Sequence, residues 1–421
     1  MTNFAAAKDQ KSLPLLKLLR QLRIPHANLK LREQNGSKIA FPGHELNFSN
    51  DFSILECEVR REFPEQIDNF IKLDNHIRSY NGLDVTAGYI SARKVLNEFI
   101  KEPLLIEMLF CPLMYYGSAV ENDMDFAQFA IMYRSIFHEG FCRPADGIKS
   151  LLTLLEKRFT ECGGRIIKNS AKLADSGDPT LCLNCGIRRI ITIKNKVSAV
   201  ELNNGEILET EKILSSAGFA ETIKMIEQPE DKSVQTGQLA FVETVAILPQ
   251  PLSTKGYKTT ITFFNKSANF AYQNPETLIN GQSGVVCVPD NFKFHSDDTP
   301  PHPQIRITML ANHKKWINLE KNPYNQKKMA VENEALKIAA EYSGITTLKN
   351  DVLFTDIFTP KTVMRYTGHI NGAVYGSPDK QKNGLTSVEG LFLCGTDQGF
   401  LGITGSMLSG ISMANMHILQ G

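Results

Sequence analysis

Near its C-terminus the chain reads Gly390-Leu391-Phe392-Leu393-Cys394-Gly395-Thr396-Asp397-Gln398-Gly399-Phe400-Leu401-Gly402-Ile403-Thr404-Gly405. Leu391 to Cys394 has the length and apolar character of a short buried strand. Gly395 to Gly405 reads as a turn whose glycines let the backbone approach a ligand closely, with one acid, Asp397, just past the strand end. From Ile403 onward Ile403, Met407, Ile411 and Ala414 recur at helical spacing, with Gly402 and Thr404 as cap positions. A helix N-terminus, with its partial positive charge, then points back at the turn. Strand, glycine turn with one acid and helix suit a polar cofactor, because the acid accepts from hydroxyls while the helix end stabilises negative charge. The same unit also occurs as an ordinary packing loop, and spacing alone does not separate the two.

Upstream, Leu13-Pro14 opens an amphipathic helix that Arg23-Ile24-Pro25 stops, after a polar, frayed stretch from Met1 to Ser12. Asn28 to Glu33 and Lys38 to Phe41 read as a hairpin about Asn35-Gly36, closed by Pro42-Gly43. From Phe52 to about His138 the periodicity is helical and rich in aromatics and methionine, which suits a wide apolar pocket or an ordinary core. Cys142-Arg143-Pro144-Ala145-Asp146-Gly147 precedes a helix from Ile148 to Cys162 that ends at Gly163-Gly164. Short strands follow through Leu202, a hairpin turn at Asn203-Asn204-Gly205, and a strand from Glu209 to Ala217 closed by Gly218. Phe241 to Leu248, Lys258 to Asn265, Gly284 to Pro289 and Gln304 to Leu310 alternate like an antiparallel sheet. A helix from Asn325 to Ser343 returns the chain to a strand from Asp351 to Phe358.

With 421 residues, two interleaved domains are the natural expectation. Lys and Arg total 46 against 45 Asp and Glu, a net charge of +1, so no nucleic acid or acidic polymer is implied as partner. Eight scattered cysteines and the lack of a signal-like opening point to a reducing cytoplasm. No run of about 18 apolar residues occurs. The longest candidate, Leu104 to Tyr116, is interrupted by Glu107 and Pro112 and reads as a core helix, with peripheral membrane contact as the alternative. Cys182-x-x-Cys185 lacks the second pair that a zinc site needs, so no metal is expected. His44 and His138 are possible pocket residues, but a lone histidine is more often satisfied locally. No nucleophile elbow or Ser-His-Asp series appears.

The C-terminal run resembles the flavin motif of the FAD-dependent phytoene desaturase and retinol saturase superfamily, related to the amine oxidases. The resemblance extends to Pro144 and Gly147 before the helix, Gly163-Gly164 after it, Ile187 at the position of a valine that contacts adenine, and Ser215 to Gly218. It resumes at Thr359-Pro360-x-Thr362-x-x-x-Tyr366-x-Gly368-x-x-x-Gly372-Ala373-x-Tyr375-Gly376. It implies an α/β fold: an incomplete FAD/NAD(P)-binding Rossmann-like domain with an inserted α+β substrate domain. Residues 1–40 would lead into the FAD domain, 41–140 form the helical part of the substrate domain and 141–235 the middle FAD segment. Residues 236–348 would form the sheet part of the substrate domain and 349–421 the last FAD segment.

The implied cofactor is FAD, and the implied reaction moves a hydride equivalent between flavin and a carbon-carbon bond of an apolar polyene, carotenoid or retinoid-like substrate. Asp397 would accept from ribityl hydroxyls, the Gly402-Ile403-Thr404 helix end would face the ring, and Gly395, Ala217, Gly218 and Ile187 would contact the remainder. Thr362, Tyr366 and Tyr375 would line the ring side of the pocket. No acid or base is assigned. Family members open with a βαβ unit of about 30 residues carrying Gly-x-Gly-x-x-Gly. No Gly-x-Gly occurs in this sequence. Three explanations stay open: part of a longer product, a degenerate non-catalytic relative that binds a lipid or a partner homologue, or a half completed by another polypeptide. Exposed strand edges beside the gap would favour association, including a dimer.

Overall fold

The computed structural model describes residues 14–170, 181–183, 185–226 and 234–420. Its centre is a mixed seven-stranded sheet in the order 354–358, 240–247, 304–311, 283–287, 261–265, 37–41, 44–48. All neighbours are antiparallel except 261–265 with 37–41. Alternate residues point to opposite faces of a strand, and here both faces are covered. Phe241, Phe263 and Val285 face a helical layer that includes the 103–117 and 126–133 helices. Val242, Phe264 and Val286 face the opposite way, toward the 321–343 helix. The run from Leu104 to Tyr116 lies in the first of these cores, with Leu105, Leu109 and Leu113 fully buried. Among the described residues no helix is long and apolar enough to cross a membrane.

The first hairpin differs from the sequence expectation. Residues 37–41 pair with 44–48 across Pro42-Gly43, where Gly43 takes φ +76°, and not with the strand before Asn35-Gly36. That earlier strand, Leu31–Glu33, pairs instead with Cys142–Pro144. The reason is hydrophobic register: Ile39, Phe41, Leu46 and Phe48 all reach the helical core, whereas Leu31–Glu33 is only half buried. The later hairpin at Asn203-Asn204-Gly205 forms as expected, with 196–202 antiparallel to 207–209 and Gly205 at φ +88°.

The second part of the chain is smaller and contains parallel pairing. Ile213–Ser215 and Leu391–Leu393 form a two-stranded parallel pair, packed by Phe219, Ile223, Val197 and Val388. The 14–21 helix lies against the 402–413 helix, and Leu15, Leu19 and Leu151 share a core with Ile403 and Met407. The polar N-terminal stretch expected to fray lies outside the described residues, as does the side chain of Cys182; Cys185 is buried. Among the described residues no cluster suits a metal ion.

Candidate functional site

The Leu391–Leu393 strand delivers the chain to Gly395, whose N–H donates to the buried Ser409 hydroxyl at 2.7 Å. This bond folds the turn back onto the helix that follows it. A short 3-10 turn, Gly395–Gln398, places Asp397 inside the protein at 1% exposure. Asp397 Oδ2 accepts from Phe219 N at 2.6 Å, and Oδ1 accepts from Ser377 N at 2.9 Å and Lys380 Nζ at 3.0 Å. The acid therefore ties together the start of the 219–224 helix, the segment after Tyr375 and the strand end. Its surroundings require glycine. A Cβ on Gly376 would stand 2.0 Å from Asp397 Oδ1, and Gly376 has φ +66°. Lys380 is buried beside the acid and also donates to the Tyr375 carbonyl at 2.6 Å. Burial lowers its pKa against the opposing pull of Asp397.

Beside this tie, the Gly402–Met413 helix begins with Gly402 at φ +70° and Leu401 as N-cap without a side-chain cap bond. Its N-terminus borders a cavity of about 530 Å3. Leu83, Tyr116, Ile131, Met132, Phe400 and Leu408 give the cavity apolar walls, and Tyr375 closes one side. The Tyr375 hydroxyl donates to the Tyr115 carbonyl at 2.6 Å, so the ring is held in place and its proton is engaged.

Of the residues expected from sequence, Gly402, Ile403, Thr404 and Tyr375 meet around this cavity. Gly395, Asp397, Gly218 and Ala217 lie together at the adjoining strand ends. Ile187 opens a strand of the meander, 47% exposed and remote in sequence from that cluster. Tyr366 is 76% exposed, and Thr362 bonds within a Thr359, Tyr324 and Thr362 hydroxyl group. Neither lines the cavity, because Pro360–Thr367 is a helix that turns these side chains away from it. His44 and His138 are engaged locally, by Glu62 at 2.7 Å and Asp74 at 2.6 Å.

Sequence reasoning missed Glu139 and Arg134, which also line the cavity. Burial raises the Glu139 carboxyl above its ordinary value, against the pull of Arg134 and a Ser135 hydrogen bond. Arg134 opens a π-helical turn, Arg134–His138, at the end of the aromatic 126–133 helix, and Glu139 follows it. Such turns often accompany functional sites. Its only trace in the sequence is a pair of charges ending an otherwise apolar helix.

No family model matches the chain. It is 21% identical over 304 residues to the 4,4'-diaponeurosporene oxygenase of Staphylococcus aureus, covering 69% of this chain and 56% of that protein. The Staphylococcus haemolyticus enzyme of the same name is 23% identical over 337 residues, covering 76% of this chain and 60% of the enzyme. The match thus spans less than two thirds of these relatives. A solved oxidoreductase from Methanosarcina mazei superposes with TM-score 0.56 and 15% identity, over 96% of this chain and 85% of that one. A putrescine oxidase structure gives 0.59 and 12%, over 97% and 86%. The chain shares the fold of these FAD-binding oxidoreductase structures.

FAD divides into two parts against these residues. The cavity at the start of the 402–413 helix, with its apolar walls and the helix N-terminus at its edge, suits a planar ring that gains negative charge. The polar remainder does not fit. Asp397 has both oxygens engaged by internal donors, and no Gly-x-Gly turn is present in the sequence to cradle a diphosphate.

Proposed function

We propose that this chain supplies the substrate-binding and ring-facing portion of an FAD-dependent oxidoreductase that acts on a carbon-carbon bond of an apolar, polyene-like molecule. The observation that carries the reading is the cavity between the aromatic helices and the start of the 402–413 helix. A flavin bound there would accept or deliver a hydride at a substrate carbon. The chain's own residues do the rest. Leu83, Ile131, Met132 and Phe400 exclude water and hold an apolar chain by burial. The fixed Tyr375 ring sets the approach on one side. Glu139, whose carboxyl burial raises above its ordinary value, places a titratable acid at the cavity wall. The weak similarity to carotenoid-pathway oxygenases supports an elongated polyene as the substrate class.

A second reading, a non-catalytic relative that holds an apolar ligand, is favoured by the engagement of both Asp397 oxygens by internal donors. Absorbance spectroscopy separates the two. The purified chain is titrated with a polyene, and then with FAD in the presence of a βαβ unit carrying Gly-x-Gly-x-x-Gly, fused ahead of it. A bathochromic shift of the polyene in the chain alone, with a flavin band retained by the fusion, supports the oxidoreductase. Polyene binding with a colourless fusion supports the non-catalytic reading. Failure to bind any polyene refutes both.

A further inference from the structure

Arg143 and Arg306 reach one small cavity from two different strands. Arg143 is the middle residue of Cys142–Pro144, between two buried neighbours, so its side chain leaves the strand on the opposite face. Arg306 stands opposite Cys287 in the antiparallel register of 304–311 with 283–287. The two arginines, Cys287 and the start of the 148–161 helix line a cavity of about 180 Å3. Ile403 is common to it and to the larger apolar cavity.

The protein does not balance the charge of this small cavity by contact. Arg306 Nη1 lies 3.5 Å from Glu243 Oε1, and its Nε donates to Gln304 Oε1 at 3.0 Å. Arg143 Nη1 donates to the Pro289 carbonyl at 3.1 Å, and its guanidinium rests 5.6 Å from the centre of the Phe294 ring. Among the described residues Arg143 forms no ion pair. Asp290 pulls on it only from beyond ion-pair distance, with Oδ2 engaged by Gln304 N at 2.6 Å and the carboxyl raised by burial. Burial lowers the Arg143 pKa, and the charge of Arg306 acts in the same direction. Burial pushes the Cys287 thiol up to about 12, which keeps it neutral. A half-buried guanidinium that touches no anion and faces a second guanidinium is costly, and an anion between the two removes both penalties.

We propose that this cavity is a binding site for a small carboxylate, held between the Arg143 and Arg306 guanidinium groups. The planar fork of N–H donors on each guanidinium matches the two oxygens of a carboxylate. One negative charge answers the one arginine of the pair that lacks a contacting acid, whereas a dianionic phosphate would stand against Glu243 and Asp290. The start of the 148–161 helix adds partial positive charge on a third side. At this volume the ligand is a carboxylate of a few carbons, additional to whatever fills the apolar cavity. The assignment does not depend on the reaction proposed above.

The test is a titration of the full chain with sodium acetate against sodium chloride at matched ionic strength. It is followed by saturation-transfer difference NMR on the acetate methyl group and by melting temperature. Acetate should give a saturable transfer signal and raise the melting temperature, because a ligand that binds only the folded state stabilises it. Arg143→Met should weaken acetate about tenfold or more, the size of a lost charge-assisted hydrogen bond, and Arg143→Lys should recover part of that loss. Ile148→Trp, which narrows the cavity and leaves both arginines in place, should weaken acetate as well. That variant keeps the test decisive if Arg143→Met does not fold. Acetate acting only as chloride does, an affinity unchanged in Ile148→Trp and in the Arg143 variants that fold, or inorganic phosphate binding more tightly than acetate each overturns the proposal.

Discussion

Asp397→Asn should destabilise the protein by about 3–5 kcal/mol, the cost found when one member of a buried, hydrogen-bonded charge pair is removed. The carboxylate is 1% exposed and serves two backbone N–H groups and one ammonium. An amide in its place keeps one accepting oxygen and turns a donor toward the others. At least one of Phe219 N, Ser377 N and Lys380 Nζ is then left facing a donor. Lys380 side-chain exposure is 12%, so water compensates little. Removing the ammonium as well, in Asp397→Asn with Lys380→Met, should recover part of the loss. The coupling expected between residues in direct contact is about 0.5–3 kcal/mol. Trp316, the single tryptophan and fully buried, reports urea unfolding by fluorescence, and far-UV circular dichroism provides the second probe. Coincident transitions permit the free energies to be compared. An Asp397→Asn variant within about 0.5 kcal/mol of the parent, the range of ordinary surface changes, would refute the claim that this acid is a structural tie.

Gly376→Ala should lower the melting temperature and soluble yield, since φ +66° costs a side-chain-bearing residue about 1–3 kcal/mol before the new Cβ meets Asp397. Tyr375→Phe should lower stability by about 1 kcal/mol through loss of the bond to the Tyr115 carbonyl, measured by the same urea titration. Glu221 and His369 stand 3.6 Å apart and predict a pH window. Burial pushes Glu221 up, but His369 and the Ile370 N–H outweigh it and hold the carboxyl below its ordinary 4.5. Glu221 in turn holds His369 above its ordinary 6.5, against burial. The depressed acid contributes stability that is present above 4.5 and lost as pH falls through its lowered value. The raised histidine contributes stability that is present below 6.5 and lost as pH rises through its raised value. Stabilisation by the pair is therefore complete between 4.5 and 6.5, and Glu221→Gln should flatten the melting temperature against pH across both flanks.

The parts of this molecule that could be read from the sequence are those where local pattern and burial agree. The alternation in 240–247 and 304–311 marks strands because each face meets a core, and the glycines after 148–161 and in 203–205 mark ends because the chain must take positive φ there. The 37–48 hairpin was misplaced because two turn signals lie seven residues apart, and only contact with the helical layer chooses between them. Asp397 is the sharper case. An acid that accepts from a ligand's hydroxyls and an acid that accepts from the protein's own N–H groups have the same neighbours in sequence. What separates them is the donors, Phe219 at 178 residues' distance, Ser377 at 20 and Lys380 at 17. The same distance hides the setting of Glu139, which lies on a cavity wall completed by other parts of the chain. A motif therefore marks where polar chemistry sits in this fold, while the occupant of each polar atom is decided by segments that the motif does not contain. It follows that a residue matching a cofactor motif, Asp397, can have both of its carboxylate oxygens engaged by the protein's own donors.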